Sequence, residues 1–323
     1  MGTGGTIAGQ ACSATEMLHY TSAVFSIDSL IEKIPEITSI ADVVSVQLSQ
    51  VDSCDMTYEL LLTLATRINE MLASSEVDGV VITHGTDTLE ETAYFLNLVI
   101  KSNKPVVVVG AMRPFTAMSG DGPMNLYNAV SLAASNEAMD KGVLVSLNDT
   151  IYCSREVVKT HTMRQDSFQV PDFGCLGYIQ GGKAYFYRLP VRKHTIFSEF
   201  NVDEMTKLPQ VDILLGYLNS SPFLAQAAVN GGAKGIVYAG VGNGGMSQSI
   251  KNALANVAEK GIPIVRSTRV SSGIVTRNGA VDDDQYSFVA ADTLSPQKAR
   301  ILLTLALTKT SNPAIIQQMF WEY

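Results

Sequence analysis

Residues 79–110 read GVVITHGTDTLEETAYFLNLVIKSNKPVVVVG, and this stretch decides the fold. Gly79–Thr83 and Val106–Gly110 are short β-branched runs without polar alternation, as in strands buried on both faces. Between them Leu89, Ala93, Leu96 and Ile100 recur at helical spacing over Thr88–Lys101. Strand, helix and strand of these lengths make a βαβ unit with parallel strands. Thr88 and Glu91 have the spacing of a capping box, which starts the helix directly after the tetrad His84-Gly85-Thr86-Asp87. The tetrad therefore falls at a strand's C-terminal end, where open α/β sheets gather their ligands.

The same alternation extends outward. Val143–Leu147 reads as a further buried strand, and Thr57–Leu72 places Leu61, Leu64, Ala65, Ile68 and Leu72 on one helical face. From Arg188 to Leu208 the period dissolves, which predicts a linker. Beyond it come strand Val211–Gly216, helix Pro222–Asn230, strand Gly235–Ala239, helix Ser247–Lys260 and strand Pro263–Ser267. Two closing helices each begin with a cap and a proline, Ser295-Pro296 and Asn312-Pro313. The expected fold is α/β in two domains: a larger doubly wound, mostly parallel sheet over 1–187, a linker over 188–208, and a smaller parallel-sheet domain over 209–323.

Of 323 residues 17% are charged, against roughly 25% in an ordinary globular protein. The net charge of −8 and the lack of any Lys/Arg-rich run exclude nucleic acid as a partner. No apolar run approaches the ~18 residues of a membrane span. Cys12, Cys54, Cys153 and Cys175 are scattered without a CxxC pair, so zinc and thioredoxin chemistry lack local support. No basic segment followed by an apolar stretch opens the chain at Met1, so no signal peptide is visible there.

Three clusters of glycine and hydroxyl residues could carry chemistry. Gly2–Gly9 (GTGGTIAG) lets backbone approach a ligand and offers two hydroxyls, although by itself such a stretch is more often an ordinary tight loop. Thr83–Thr88 exceeds what helix capping requires. Asn148-Asp149-Thr150 follows a strand and precedes Arg155, Lys159 and Thr160. A hydroxyl nucleophile needs a base, and neither a G-x-S-x-G elbow nor a His-containing triad is visible. A lysine serves if desolvation or a neighbouring cation lowers its pKa, and Lys159 beside Thr86 and Asp87 would make such a set.

GTGGTIAG at 2–9, ITHGTDTLEET at 82–92, GAMRP at 110–114, DGPMNLYNA at 121–129, NDT at 148–150 and AGVGNG at 239–244 together resemble the bacterial L-asparaginase and glutaminase-asparaginase family, most nearly its type II enzymes. The resemblance implies hydrolysis of the side-chain amide of L-asparagine to L-aspartate and ammonia, with no cofactor and no metal. By motif, Thr6 resembles the nucleophile and Tyr20, in a loop over roughly residues 9–24, its activating partner. Thr86, Asp87 and Lys159 resemble a second catalytic set. Ser53 matches the residue that binds the substrate α-carboxylate, Asp87 the one that pairs with its ammonium, and Asn243 a residue supplied by a neighbouring subunit. The backbone of Thr86 and Ala111 would face the scissile amide. The resemblance also implies a homotetramer built as a dimer of intimate dimers, and a periplasmic or cytoplasmic setting.

Two departures stand out. Relatives commonly carry Gln where this chain has Cys54, and many place a glutamate where Gly279-Ala280 stand. An apolar strand usually leads into TGGT, so a whole central strand is expected to be absent, with poor folding as the consequence. Two other classes compete. Gly240–Gly245 satisfies G-x-G-x-x-G, although Arg266-Ser267-Thr268-Arg269 replaces the acidic residue that a dinucleotide site needs. Two α/β domains also describe periplasmic-type amino-acid binding proteins, which need no nucleophile. An amidase subunit acting on misacylated tRNA would need a basic surface, against a pI near 5.0.

Overall fold

The computed structural model describes residues 1–323, which divide into two compact units, 1–204 and 205–323. The N-terminal unit is built on an eight-stranded sheet. Its order across the sheet is Lys183–Phe186, Gly177–Gln180, Thr150–Cys153, Val143–Leu147, Val106–Val109, Val80–Thr83, Gly2–Gly4, Gln47–Val51. The five from Val143–Leu147 onward are mutually parallel, and the first three are antiparallel additions. Val106–Val109 is buried along its whole length, as a strand with both faces covered must be. Val107 and Val109 pack with Leu126, Ala129 and Val130 of the helix Gly122–Ala133, while the pleat turns Val106 and Val108 to the other face.

The helices Tyr58–Ala73 and Leu89–Val99 form where the apolar period placed them. The capping box does not. Thr88 makes no side-chain bond to the helix; its hydroxyl donates instead to the Ser53 carbonyl at 2.7 Å, so a tertiary partner takes the hydroxyl that local sequence assigned to the helix end.

The expectation of an absent central strand is also corrected. Gly2–Gly4 occupies that place, pairing Gly2 with Gln47 and Thr83, and Gly4 with Val51. Thr83 N–H donates to the Met1 carbonyl and Gly2 N–H to the Val46 carbonyl, so the neighbouring ladders are met there. Glycines are poor strand formers, which is why Gly2–Gly9 reads as a loop in sequence. The stretch expected as a linker belongs with the N-terminal unit as far as residue 204. Thr195, Phe200 and Val202 are buried, and Lys101 Nζ donates to the Ser198 carbonyl.

The C-terminal unit has a four-stranded parallel sheet, ordered Val211–Leu215, Gly235–Gly240, Ile264–Thr268, Val289–Ala290. Ile236, Tyr238 and Ile264 pack against Ile250, Leu254 and Val257 of the helix Gln248–Ala258. Ser247, Ser295 and Asn312 cap their helices through side-chain acceptors, the last two with proline following. No helix is long and apolar enough to cross a membrane.

Candidate active site

Both glycine-rich clusters of the N-terminal unit end parallel strands on the same edge of the sheet. After Gly2–Gly4 the chain turns through positive φ at Gly4 and Gly5 into a short 3-10 turn, Thr6–Ala8. Thr6 is buried, and its hydroxyl lies 2.8 Å from the Tyr20 hydroxyl. Tyr20 is presented by a small antiparallel pairing, Tyr20–Thr21 against Gln10–Ala11, so the loop over residues 9–24 is tied down close to Tyr20.

The second cluster gathers around Asp87. Lys159 lies on the two-residue strand Val158–Lys159, held by Phe168–Gln169 and by its own N–H, which donates to Glu90 Oε2 at 2.6 Å. Its ammonium bridges the Thr86 hydroxyl at 2.8 Å and Asp87 Oδ1 at 2.6 Å. The Cys54 thiol reaches the other oxygen, Asp87 Oδ2, at 3.6 Å. Asp87 N–H donates to Ser53 Oγ at 3.2 Å, which leaves the serine proton to point elsewhere. A Cβ on Gly85 would stand 2.7 Å from Ser53 Oγ, so the tetrad's glycine is what lets the serine close in. Asp87 keeps more than half of its side-chain surface exposed, whereas Thr86 and Ser53 are buried.

The electrostatics follow from this geometry. The hydrogen bond and charge of Lys159, with smaller help from the Cys54 thiol, hold the Asp87 carboxyl below the usual carboxylate range, although partial burial opposes them. Desolvation and the Asp87 and Asp52 carboxylates push the Cys54 thiol up. Asp52, Cys54 and Asp87 bring one potential metal ligand each within 4.8 Å of one another, but a thiol that keeps its proton is a poor ligand. The Lys159 ammonium forms an ion pair with the Asp87 carboxylate at 2.6 Å and donates to the Thr86 hydroxyl at 2.8 Å. Lys159 is thus arranged as a donor to Thr86.

Further residues hold these loops; they lie within the motif blocks, but sequence reading assigns His84, Thr92 and Asp121 no role of their own. The ring of His84 is fully buried, with Nδ1 donating to the Gly85 carbonyl at 2.7 Å and Nε2 accepting from the Thr92 hydroxyl at 3.0 Å. Burial drives its pKa down to about 4, so it is neutral. Asp121 receives the N–H groups of Met112 and Arg113 at 2.9 and 3.0 Å, fixing the loop after Gly110. In that loop Ala111 is fully buried, and a Cβ on Gly110 would lie 3.1 Å from Thr86 Cγ2. The remaining sequence candidate, Asn243, lies exposed in the C-terminal unit. Its turn is closed by paired backbone bonds between Val241 and Gly245, a tight turn ahead of the Ser247 cap rather than a phosphate cradle opening a helix.

Residues 1–192 match the family described as Asparaginase, N-terminal, and residues 210–320 match the Glutaminase/Asparaginase C-terminal domain. L-asparaginase 2 of Bacillus subtilis (strain 168) is 50% identical over 323 residues, covering 100% of this chain and 85% of that protein. The glutaminase-asparaginase of Pseudomonas fluorescens biotype A is 48% identical over 324 residues, covering 100% of this chain and 89% of that one. Among solved structures, a probable cytoplasmic L-asparaginase from Campylobacter jejuni superposes with a TM-score of 0.96 at 50% identity, covering 100% of this chain and 98% of that one. Matched in both halves and along its whole length, and carrying paired threonine clusters on one sheet edge, the chain belongs to the asparaginase family.

Proposed function

We propose that the chain is an amidohydrolase that converts L-asparagine and water to L-aspartate and ammonia. The observation that carries this reading is the single ammonium of Lys159 held between the Thr86 hydroxyl at 2.8 Å and the Asp87 carboxylate at 2.6 Å. A binding protein needs a carboxylate to meet an amino acid's ammonium, but it has no use for a lysine aimed at a hydroxyl. In the proposed reaction the Thr6 hydroxyl attacks the amide carbon and passes its proton to the Tyr20 oxygen, 2.8 Å away, as that phenol gives its own proton towards the departing amine. The C–N bond breaks, ammonia leaves, and water then hydrolyses the threonine ester to release aspartate. Lys159 polarises the Thr86 hydroxyl on the other side of the reacting group. The Thr86 N–H and the backbone at Ala111 face the scissile amide, where a donor stabilises the developing oxyanion.

The substrate zwitterion is met by opposite charges. The exposed Asp87 carboxylate takes the ammonium, and the free proton of Ser53 takes the carboxylate, with Cys54 at the rim. Asn243 completes the site of a second copy, and we assign the chain to a homotetramer built from two such pairs. Exposed apolar side chains in the C-terminal unit, Leu218 and Phe223 among them, support association with further copies. No nucleic acid, membrane or cofactor enters this reaction, and the setting is periplasmic or cytoplasmic.

Steady-state ammonia release from L-asparagine and L-glutamine tests the proposal. Turnover of asparagine, abolished in Thr6→Ala, is the expected result. Stoichiometric binding of asparagine without ammonia would move the chain to the binding-protein class.

A further inference from the structure

The largest fully buried side chain of the protein is a charged one, Arg266, on the strand Ile264–Thr268. It forms a two-pronged pair with Asp283, Nε to Oδ1 at 2.8 Å and Nη2 to Oδ2 at 2.6 Å, and neither side chain has any exposed surface. Such pairs contribute little net stability, because desolvation offsets the attraction. What this pair does is hold two loops. Arg266 Nη1 donates to the Asn243 carbonyl at 2.7 Å and Nη2 to the Thr276 carbonyl at 2.8 Å, while Asp283 Oδ2 also accepts from Asn278 N–H at 2.8 Å.

The two loops then grip one side chain. Asn243 Oδ1 accepts from Thr276 N–H at 2.9 Å, and Asn243 Nδ2 donates to Thr276 Oγ1 at 2.7 Å. A backbone N–H can only donate, so the carboxamide has one allowed orientation, with one N–H and one lone pair still available. Two glycines keep the clamp open. A Cβ on Gly244, at positive φ, would stand 2.7 Å from Arg266 Nη1, and one on Gly279 would overlap Thr276 Oγ1 and lie 2.9 Å from Asn243 Nδ2. Despite all this fixing, Asn243 is exposed. An exposed side chain immobilised by a buried ion pair is pre-organised to meet something beyond its own surface.

We propose that Arg266, Asp283 and Thr276 are positioning residues that lock the Asn243 carboxamide in the orientation with which it meets the substrate in a second copy's active site. This rests on the reading of Asn243 as a substrate-binding residue. Substrate capture is the step the clamp serves, so its loss raises KM and leaves kcat nearly unchanged.

The test uses the full chain and compares Asn243→Ala, Arg266→Lys, Thr276→Val and the double variant Asn243→Ala/Thr276→Val, each checked for thermal midpoint and oligomeric size. Thr276 is exposed, so its variant reports even if Arg266→Lys fails to fold. The expected results are a KM for asparagine raised about three- to tenfold in Thr276→Val, as one lost hydrogen bond implies, with kcat within about twofold. No further rise is expected when Thr276→Val is added to Asn243→Ala. If Asn243→Ala raises KM but Thr276→Val does not, or if Thr276→Val acts equally in both backgrounds, the clamp is overturned and the role of Asn243 stands. If Asn243→Ala leaves KM unchanged, the assignment of Asn243 falls and the clamp falls with it.

Discussion

Gly5 and Gly85 pack backbone against backbone: a Cβ on Gly5 would overlap both the amide nitrogen and the Cα of Gly85. This contact brings the TGGT turn and the HGTD tetrad together, so the Thr6 and Thr86 clusters depend on two missing side chains. Gly5 also has a φ of +80°, which L side chains rarely adopt. Gly5→Ala therefore meets backbone on one side and a strained dihedral of about 1–2 kcal/mol on the other. The expected outcome is a loss of at least about 2 kcal/mol in denaturant unfolding, and a fall in kcat beyond what the unfolded fraction explains. An active Gly5→Ala of native stability would show that the two loops do not depend on this close contact.

Lys159 is the one group that touches both Thr86 and Asp87. Lys159→Met keeps much of the apolar stem and removes the donor, so kcat should fall by about 10²–10⁴ while circular dichroism stays native. The pH profile provides an independent check. In the native protein Lys159 holds Asp87 below the ordinary carboxylate range, so the ionised form persists as the medium becomes acid. Activity and the pair's contribution to folding are lost as pH falls through that depressed folded pKa. Without the ammonium the Asp87 pKa rises, and the acid limb of residual kcat/KM should move to higher pH. An unmoved limb would assign it to another group.

The parallel strands and their helices were legible because burial on both faces imposes continuous β-branched runs, as in Val106–Val109, and burial on one side imposes the spacing of Leu61, Leu64, Ile68 and Leu72. The strand Gly2–Gly4 was not legible, because its place in the sheet is decided by pairing with Gln47–Val51 and Val80–Thr83 rather than by its own propensity. The antiparallel additions Gly177–Gln180 and Lys183–Phe186 alternate exposed and buried residues over four positions, too short a pattern to separate from a loop. In the site, Thr86, Asp87 and Lys159 could be named from motif order, but their convergence is set by Glu90, which reaches the backbone of Lys159 across 69 positions of sequence. The supports His84 with Thr92 and Arg266 with Asp283 could not be assigned from sequence, since each acts through a partner that only the fold brings to it.

Cys54 lies exposed beside Asp87, at the position for which the family resemblance implies a glutamine. A thiol is a weak hydrogen-bond partner, and Ala280 offers no side-chain polar group where that resemblance implies a glutamate. The longer amide relies more on peripheral anchoring, so asparagine should exceed glutamine in kcat/KM by about tenfold or more, the scale that one methylene sets in a shaped pocket. Cys54→Gln combined with Ala280→Glu should raise glutamine turnover more than asparagine turnover. Comparable kcat/KM for the two amides in the unmodified protein would refute this account.

His84 gives the fold a calculable acid sensitivity. In the folded protein burial holds its pKa near 4, although the Gly85 carbonyl and Asp52 pull the other way; in the unfolded chain it titrates near 6.5. Between these values the unfolded state binds a proton that the folded state refuses, so stability falls as pH drops below about 6.5 and this loss is complete near 4. At about 1.4 kcal/mol per pH unit the total is on the order of 3 kcal/mol. His84→Gln supplies a donor for Gly85 and an acceptor for Thr92 but does not titrate. Unfolding free energies at pH 7 and pH 4.5 should therefore differ less in the variant than in the native chain, by about 2–3 kcal/mol. The same substitution tests whether the ring matters for chemistry, because Nδ1 grips the carbonyl immediately before Thr86. Native kcat in His84→Gln, with the altered stability slope, would confine the histidine to folding, whereas a lowered kcat at pH 7 would show that the Gly85 anchor also aims Thr86.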